Sequence, residues 1–91
     1  MITLTLPMSL KKYTDNINVL EMEHVEDFEA LLCVLVEKHP LLKTKIFSHS
    51  GQLHNFINVF IDGKNIRHLS GEKTKLDQSS TVTLVAAIAG G

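Results

Sequence analysis

Cysteine is almost missing from this sequence: Cys33 is the only one, so no disulfide can form within the chain. A reducing compartment, the cytoplasm, is the natural expectation. An excess of charge of one sign is missing as well. The formal net charge is −1, and Lys11, Lys12, Lys38, Lys43, Lys45, Lys64, Lys73 and Lys75 are scattered without forming a basic block. That balance gives no reason to expect nucleic acid or an anionic membrane as a partner. No apolar run approaches the roughly 20 residues of a membrane span. The start, Met1-Ile2-Thr3-Leu4-Thr5-Leu6, lacks the basic segment and continuous apolar stretch of a signal peptide.

The usual constellations of catalysis are lacking too. His24, His39, His49, His54 and His68 keep none of the spacings that gather metal ligands, so no metal site is expected. Gly51, Gly63 and Gly71 stand alone, which excludes a phosphate-cradling loop and speaks against ATP binding by this chain itself. Aspartates and glutamates are spread without a pair that could serve as acid and base.

What is present is a pattern of strands around one helix. The 91 residues are 44% hydrophobic and 21% charged, enough for a single domain with one core. Ile2, Leu4 and Leu6 alternate with Thr3 and Thr5, the period of a strand with one buried face, and Pro7 ends it. Thr14-Asp15-Asn16 supplies turn residues, and Ile17 to Met22 is apolar enough to pair back as a hairpin. Then the period changes. Phe28, Leu31, Leu32, Leu35, Val36 and His39 fall on one side of a helix at about 100° per residue. Asp27 is placed to cap its start, Lys38 and His39 complement its far end, and Pro40 stops it.

Residues 41–54 are mixed, with Ser48-His49-Ser50-Gly51 read as a loop. Phe56 to Ile61 returns to strand character, Asp62-Gly63 is a turn dipeptide, and Asn65 to His68 is placed as a short return strand. Thr81 to Val85, rich in β-branched residues, is the last strand. This order predicts an α+β domain over residues 1–85, a mixed sheet of four to five strands with one main helix across it, and an extended tail over 86–91.

Two stretches carry a family resemblance. Phe56-Ile57-Asn58-Val59-Phe60-Ile61-Asp62-Gly63-Lys64-Asn65-Ile66-Arg67 resembles the central strand and turn of the MoaD/ThiS-type sulfur carriers. Ser80-Thr81-Val82-Thr83-Leu84-Val85-Ala86-Ala87-Ile88-Ala89-Gly90-Gly91 resembles their last strand and its small-residue tail ending in Gly-Gly. Leu6-Pro7 followed by Leu10 and Thr14, and the helix closing on His39-Pro40, fit the same pattern. The resemblance spans nearly the whole chain, and is nearest to carriers serving cysteine synthesis and to the small subunit of molybdopterin synthase.

That resemblance implies a ubiquitin-like β-grasp fold and a carrier role. An activating enzyme of the ubiquitin-activating type would use ATP to adenylate the Gly91 carboxylate. Sulfur from a donor would displace the adenylate, and a synthase would take the sulfur from the resulting thiocarboxylate. The chain itself would then be a substrate protein, binding no cofactor. Gly90 and Gly91, having no Cβ, suit a tail that passes close to a nucleotide in a narrow channel. Ile88 and Ala89 are expected to touch the partner. Phe56 and Phe60 either form an apolar patch for it, or simply fill the core or cover a sheet edge. Cys33 lies off the apolar helix arc and reads as an incidental thiol. The same chemistry would serve a ubiquitin-like modifier joined to target lysines, although Ala86 to Ala89 carries none of the basic residues that precede Gly-Gly in ubiquitin. The β-rich pattern around a single long helix speaks against an acyl carrier.

Overall fold

A computed structural model describes residues 1–86. Strand β1 (Ile2–Thr5) leads through a 3-10 helix (Met8–Tyr13) to β2 (Val19–Met22). Helix α1 (Phe28–Lys38) follows, then a 3-10 turn (Pro40–Leu42) and the short α2 (Lys43–Ile46). Strands β3 (Ile57–Ile61) and β4 (Lys64–Asn65), two further 3-10 turns (Ile66–His68 and Gly71–Lys73) and β5 (Thr81–Ala86) complete the order.

The five strands form one mixed sheet in the order β2-β1-β5-β3-β4. β1 and β5 run parallel at its centre, with Thr3, Leu4 and Thr5 opposite Thr81, Val82 and Thr83. The other pairings are antiparallel. The strand alternation read from sequence sets the core: Ile2, Leu4, Leu6, Ile57, Val59, Ile61, Val82 and Leu84 are all buried. They meet Phe28, Leu31, Leu32 and Leu35, the apolar arc of α1, in one cluster. Each fully buried side chain of this size contributes about 1.5–3 kcal/mol of transfer free energy.

Helix α1 begins and ends as its residues dictate. The Asp27 carboxylate accepts a hydrogen bond from the Ala30 N–H at 2.8 Å, satisfying one orphan donor of the first turn. At the other end His39 leaves the helix at φ −133°, ψ 76°. A residue before proline is pushed out of the α region by the ring. Pro40 then opens the next turn, where its fixed φ and missing N–H cost nothing.

Turn chemistry holds the strands in register. Asp15 and Asn16 take φ of 56° and 62° before β2. The buried Thr14 hydroxyl donates to the Ile17 carbonyl at 2.6 Å and locks that turn. Asp62 and Gly63, at φ 52° and 84°, form the two-residue loop between β3 and β4. Asp62 also joins the loop to β5: its carboxylate accepts from the Thr81 N–H at 2.9 Å, and its own N–H donates to the Thr81 carbonyl at 2.8 Å.

The structure departs from the sequence pattern in four places. Residues 8–13 form a 3-10 helix with only Leu10 buried, too short for periodicity to mark. Residues 40–46 are helical rather than irregular, because Leu42 and Ile46 reach the core. The return strand expected over Asn65–His68 is only Lys64–Asn65. There the Asn65 side chain accepts the Arg67 N–H at 2.9 Å and turns the chain out of the ladder. Ala86, expected to open the tail, still pairs with Ile57 in β5.

Candidate functional site

Helix α1 covers one face of the sheet, and the residues of the other face follow from register. Val19, Thr5, Thr83, Phe60 and Asn65 stand opposite one another across all five strands, one from each. Glu21, Thr3 and Thr81 form the row on one side of them, and Val85 with Asn58 the row on the other. Val19 is 48% exposed and Val85 42% exposed, and Phe60 is half-buried without joining the core cluster. Thr3 donates its hydroxyl to the Glu21 carboxylate at 3.1 Å, so the polar end of this face is internally paired. The apolar end lies toward Val85.

Phe60 thus belongs to an open sheet face. Phe56 does not join it. Strict alternation would place the two rings together, but Asn55-Phe56 is a turn, closed by the Ile57 N–H on the His54 carbonyl at 3.1 Å. The turn swings Phe56 to the other side, where it packs on the core and stacks on His54 with ring centroids 4.6 Å apart. Val85 was missed in the sequence although the alternation of β5 announced it. Val19 was recognisable only once its partner strand was known.

Strand β5 carries the chain along this face toward its end. Its pairing with β1 stops at Thr83, opposite Thr5, just before Pro7 breaks the donor row. Its pairing with β3 continues to Ala86. The final described residues therefore have a strand on one side only. Ile88, Ala89, Gly90 and Gly91 lie outside the described residues.

The remaining titratable groups are peripheral. Lys73 pairs with Glu29 at 2.7 Å and Lys75 with Glu26 at 2.9 Å, all exposed. The hydrogen bond to the glutamate, then its charge, raises each ammonium above its ordinary value. His24 and His54 bond the carbonyls of Leu76 and Thr44 at 3.0 and 3.2 Å. Cys33 is exposed on α1, away from the open sheet face. Among the described residues no three His, Cys, Asp or Glu side chains converge to hold a metal, and no helix is long and apolar enough to cross a membrane.

Comparison with known proteins agrees with this geometry. The ThiS family model matches residues 5–91. The sulfur carrier protein CysO of Mycobacterium tuberculosis is 34% identical over 44 residues, 48% of this chain and 47% of that protein. The chain thus spans about half the length of the curated relatives it matches. A chain in the crystal structure of the Amycolatopsis orientalis BexX/CysO complex superposes with a TM-score of 0.88 at 23% identity, covering 100% of both chains. Small archaeal modifier protein 1 of Methanosarcina acetivorans superposes at 0.84 with 29% identity, covering 99% of this chain and 95% of that one. The sheet order, the single long helix and the family match over nearly the whole sequence agree: the chain is a ubiquitin-like β-grasp protein and belongs to the ThiS family.

Proposed function

We propose that this protein is a sulfur carrier whose reactive group is the carboxylate of Gly91. The observation that carries the reading is a family match that continues past β5 through Gly90 and Gly91. The names of relatives such as CysO support it. A carboxylate is a poor acyl donor until one oxygen becomes a good leaving group. In the proposed cycle a carboxylate oxygen attacks the α-phosphorus of ATP on an activating enzyme, and pyrophosphate leaves. A sulfur nucleophile then attacks the acyl carbon, and the bond to AMP breaks, leaving a thiocarboxylate. The carrier supplies no acid, base or metal to these steps and binds no cofactor. It presents its terminus and is held by its surface, with Phe60 and Val85 on the open sheet face and Ile88 and Ala89 in the tail as the proposed contacts. A synthase that consumes the sulfur, in cysteine or molybdopterin-type biosynthesis, is the second proposed partner, and the setting is the cytoplasm.

The test is the intact mass after incubation with ATP, a sulfide source and an activating enzyme. The expected result is a gain equal to the difference between one sulfur and one oxygen, lost on deletion of Gly90 and Gly91 and reduced by Gly91→Ala. No gain with any activating enzyme would reject the reading. The likeness to small archaeal modifier protein 1 favours a second one, conjugation of Gly91 to target lysines. Branched lysine adducts in the cellular pool, without thiocarboxylate, would decide for it.

A further inference from the structure

We propose that the end of the molecule from which β5 leads toward Gly91 docks an acidic surface of the protein that takes the tail, through Lys12 and Lys45 held on the ring of Tyr13. The net charge of −1 hides a segregation along the chain. No aspartate or glutamate occurs in residues 1–14 or 38–61, which carry Lys11, Lys12, Lys38, Lys43 and Lys45. The fold brings these two stretches together. β1 and β5 run parallel with Thr5 opposite Thr83, so the chain leaving β1 enters the 3-10 helix Met8–Tyr13 at the end of the sheet where β5 finishes. Helix α1 starts at the other end, where the Phe28 N–H donates to the Thr74 carbonyl at 3.0 Å. It runs back to the first, and there the turn Pro40–Leu42 packs on that 3-10 helix.

The geometry at Tyr13 decides what the surface takes. Its ring is half-buried and packs on the core, which fixes its place. The Lys12 and Lys45 Nζ atoms each lie 5.4 Å from the ring centroid, within the range at which an aromatic face attracts a cation. Two ammonium groups from separate elements are thus at most twice that distance apart, on the order of one Debye length, and they repel each other. Among the described residues neither is ion-paired, since both ion pairs belong to Lys73 and Lys75. Asp15 and Glu37, the carboxylates next in sequence to the two stretches, pair with none of their lysines. A carboxylate brought by a partner would relieve the repulsion.

Apolar exposure selects a protein over other anions. Met8 and Leu41, on the same two packed elements, are 62% and 69% exposed. Protein interfaces combine an apolar centre with a polar rim, so the matching surface is an apolar patch edged by aspartate and glutamate. Glu26, Asp27 and Glu29 stand at the other end of α1. Charges of opposite sign at the two ends would orient the molecule in the field of such a partner, tail first. That the partner is the enzyme taking the tail rests on the carrier reading; the acidic chemistry of its surface rests on these residues alone.

The experiment measures KM and kcat of the activating enzyme for this protein at low and high salt, by ATP-dependent pyrophosphate release. Lys12→Glu with Lys45→Glu should raise KM at least roughly tenfold at low salt and leave kcat, which reports on the terminus, unchanged. The loss should shrink at high salt. Tyr13→Leu keeps an apolar side chain on the core but removes the ring face, and should raise KM by a smaller factor. Lys64→Glu, beside Ile61 at the opposite end of the sheet, should scarcely change it. An unchanged KM in the double variant, or an equal rise with Lys64→Glu, would overturn the proposal and leave the carrier reading in place. If the wild type is not activated at all, the carrier reading fails, and titration with a blocked hexaglutamate peptide decides. Saturable amide NMR shifts at Lys12, Tyr13 and Lys45 would support the acidic docking site, and their absence would overturn it. Tighter binding of a single-stranded RNA at the same amides would also overturn it, assigning the surface to nucleic acid.

Discussion

Phe56 and Phe60 are similar side chains four positions apart, yet the turn before β3 gives them different work. Truncating Phe56 removes a ring packed on the core and on His54. Phe56→Ala should cost roughly 2 kcal/mol, about half the loss of a fully buried phenylalanine, and leave partner binding intact in the folded fraction. Phe60 is supported by cross-strand neighbours Thr83 and Asn65, a contribution of roughly 0.2–1 kcal/mol. Phe60→Ala should therefore scarcely change stability while weakening binding to the activating enzyme. Urea melts and binding titrations of both variants check this, and a Phe60→Ala protein that binds normally would remove the open face from the proposed contact. The sequence listed both rings as candidates because alternation assigns a face only inside a strand, and Phe56 lies one residue outside it.

Two exposed ion pairs link the start of α1 and the residue before its cap to the segment before β5, Glu29 with Lys73 and Glu26 with Lys75, and they give stability a pH dependence at the scale of elements. Both ammonium groups are raised above their ordinary value. A raised cation stabilises the fold fully below the unfolded lysine value, and that contribution disappears as pH rises through the folded value. The stability gap between wild type and the double variant Lys73→Ala, Lys75→Ala should accordingly be small at neutral pH, smaller in high salt, and close at strongly alkaline pH. Thermal melts across that range measure it, and a gap that widens with alkali would show that the pairs do not carry it. Helix α1 itself was legible in detail, from the Asp27 cap to Pro40, because its signals are local. The 3-10 turns were not, since runs this short have no period and are held by single buried anchors such as Leu10, Leu42 and Ile66.

On the scale of the described fold, β1 and β5 lie side by side within the sheet, so the core joins segments far apart in sequence. Leu84 sits there at 1% exposure, in the strand between β1 and β3. Leu84→Ala should cost about 2–5 kcal/mol, with backbone and side-chain signals lost in one transition. Separate transitions would mean that β1 and β5 do not unfold together. Such a sheet keeps one face under α1 and leaves the other open beside the strand that leads toward Gly91.

The main strands, the long helix and the turn at Asp62-Gly63 were determined by local pattern: alternation, helical period, capping and backbone freedom. The family resemblance rested on those same residues. Strand order, the face on which Phe60 lies, its separation from Phe56, and the meeting of Lys12 and Lys45 on Tyr13 were decided only by the tertiary structure. The physical reason is range. A side chain's period is set by its chain neighbours, whereas register across a sheet is set by burial shared between residues as distant as Leu4 and Val82.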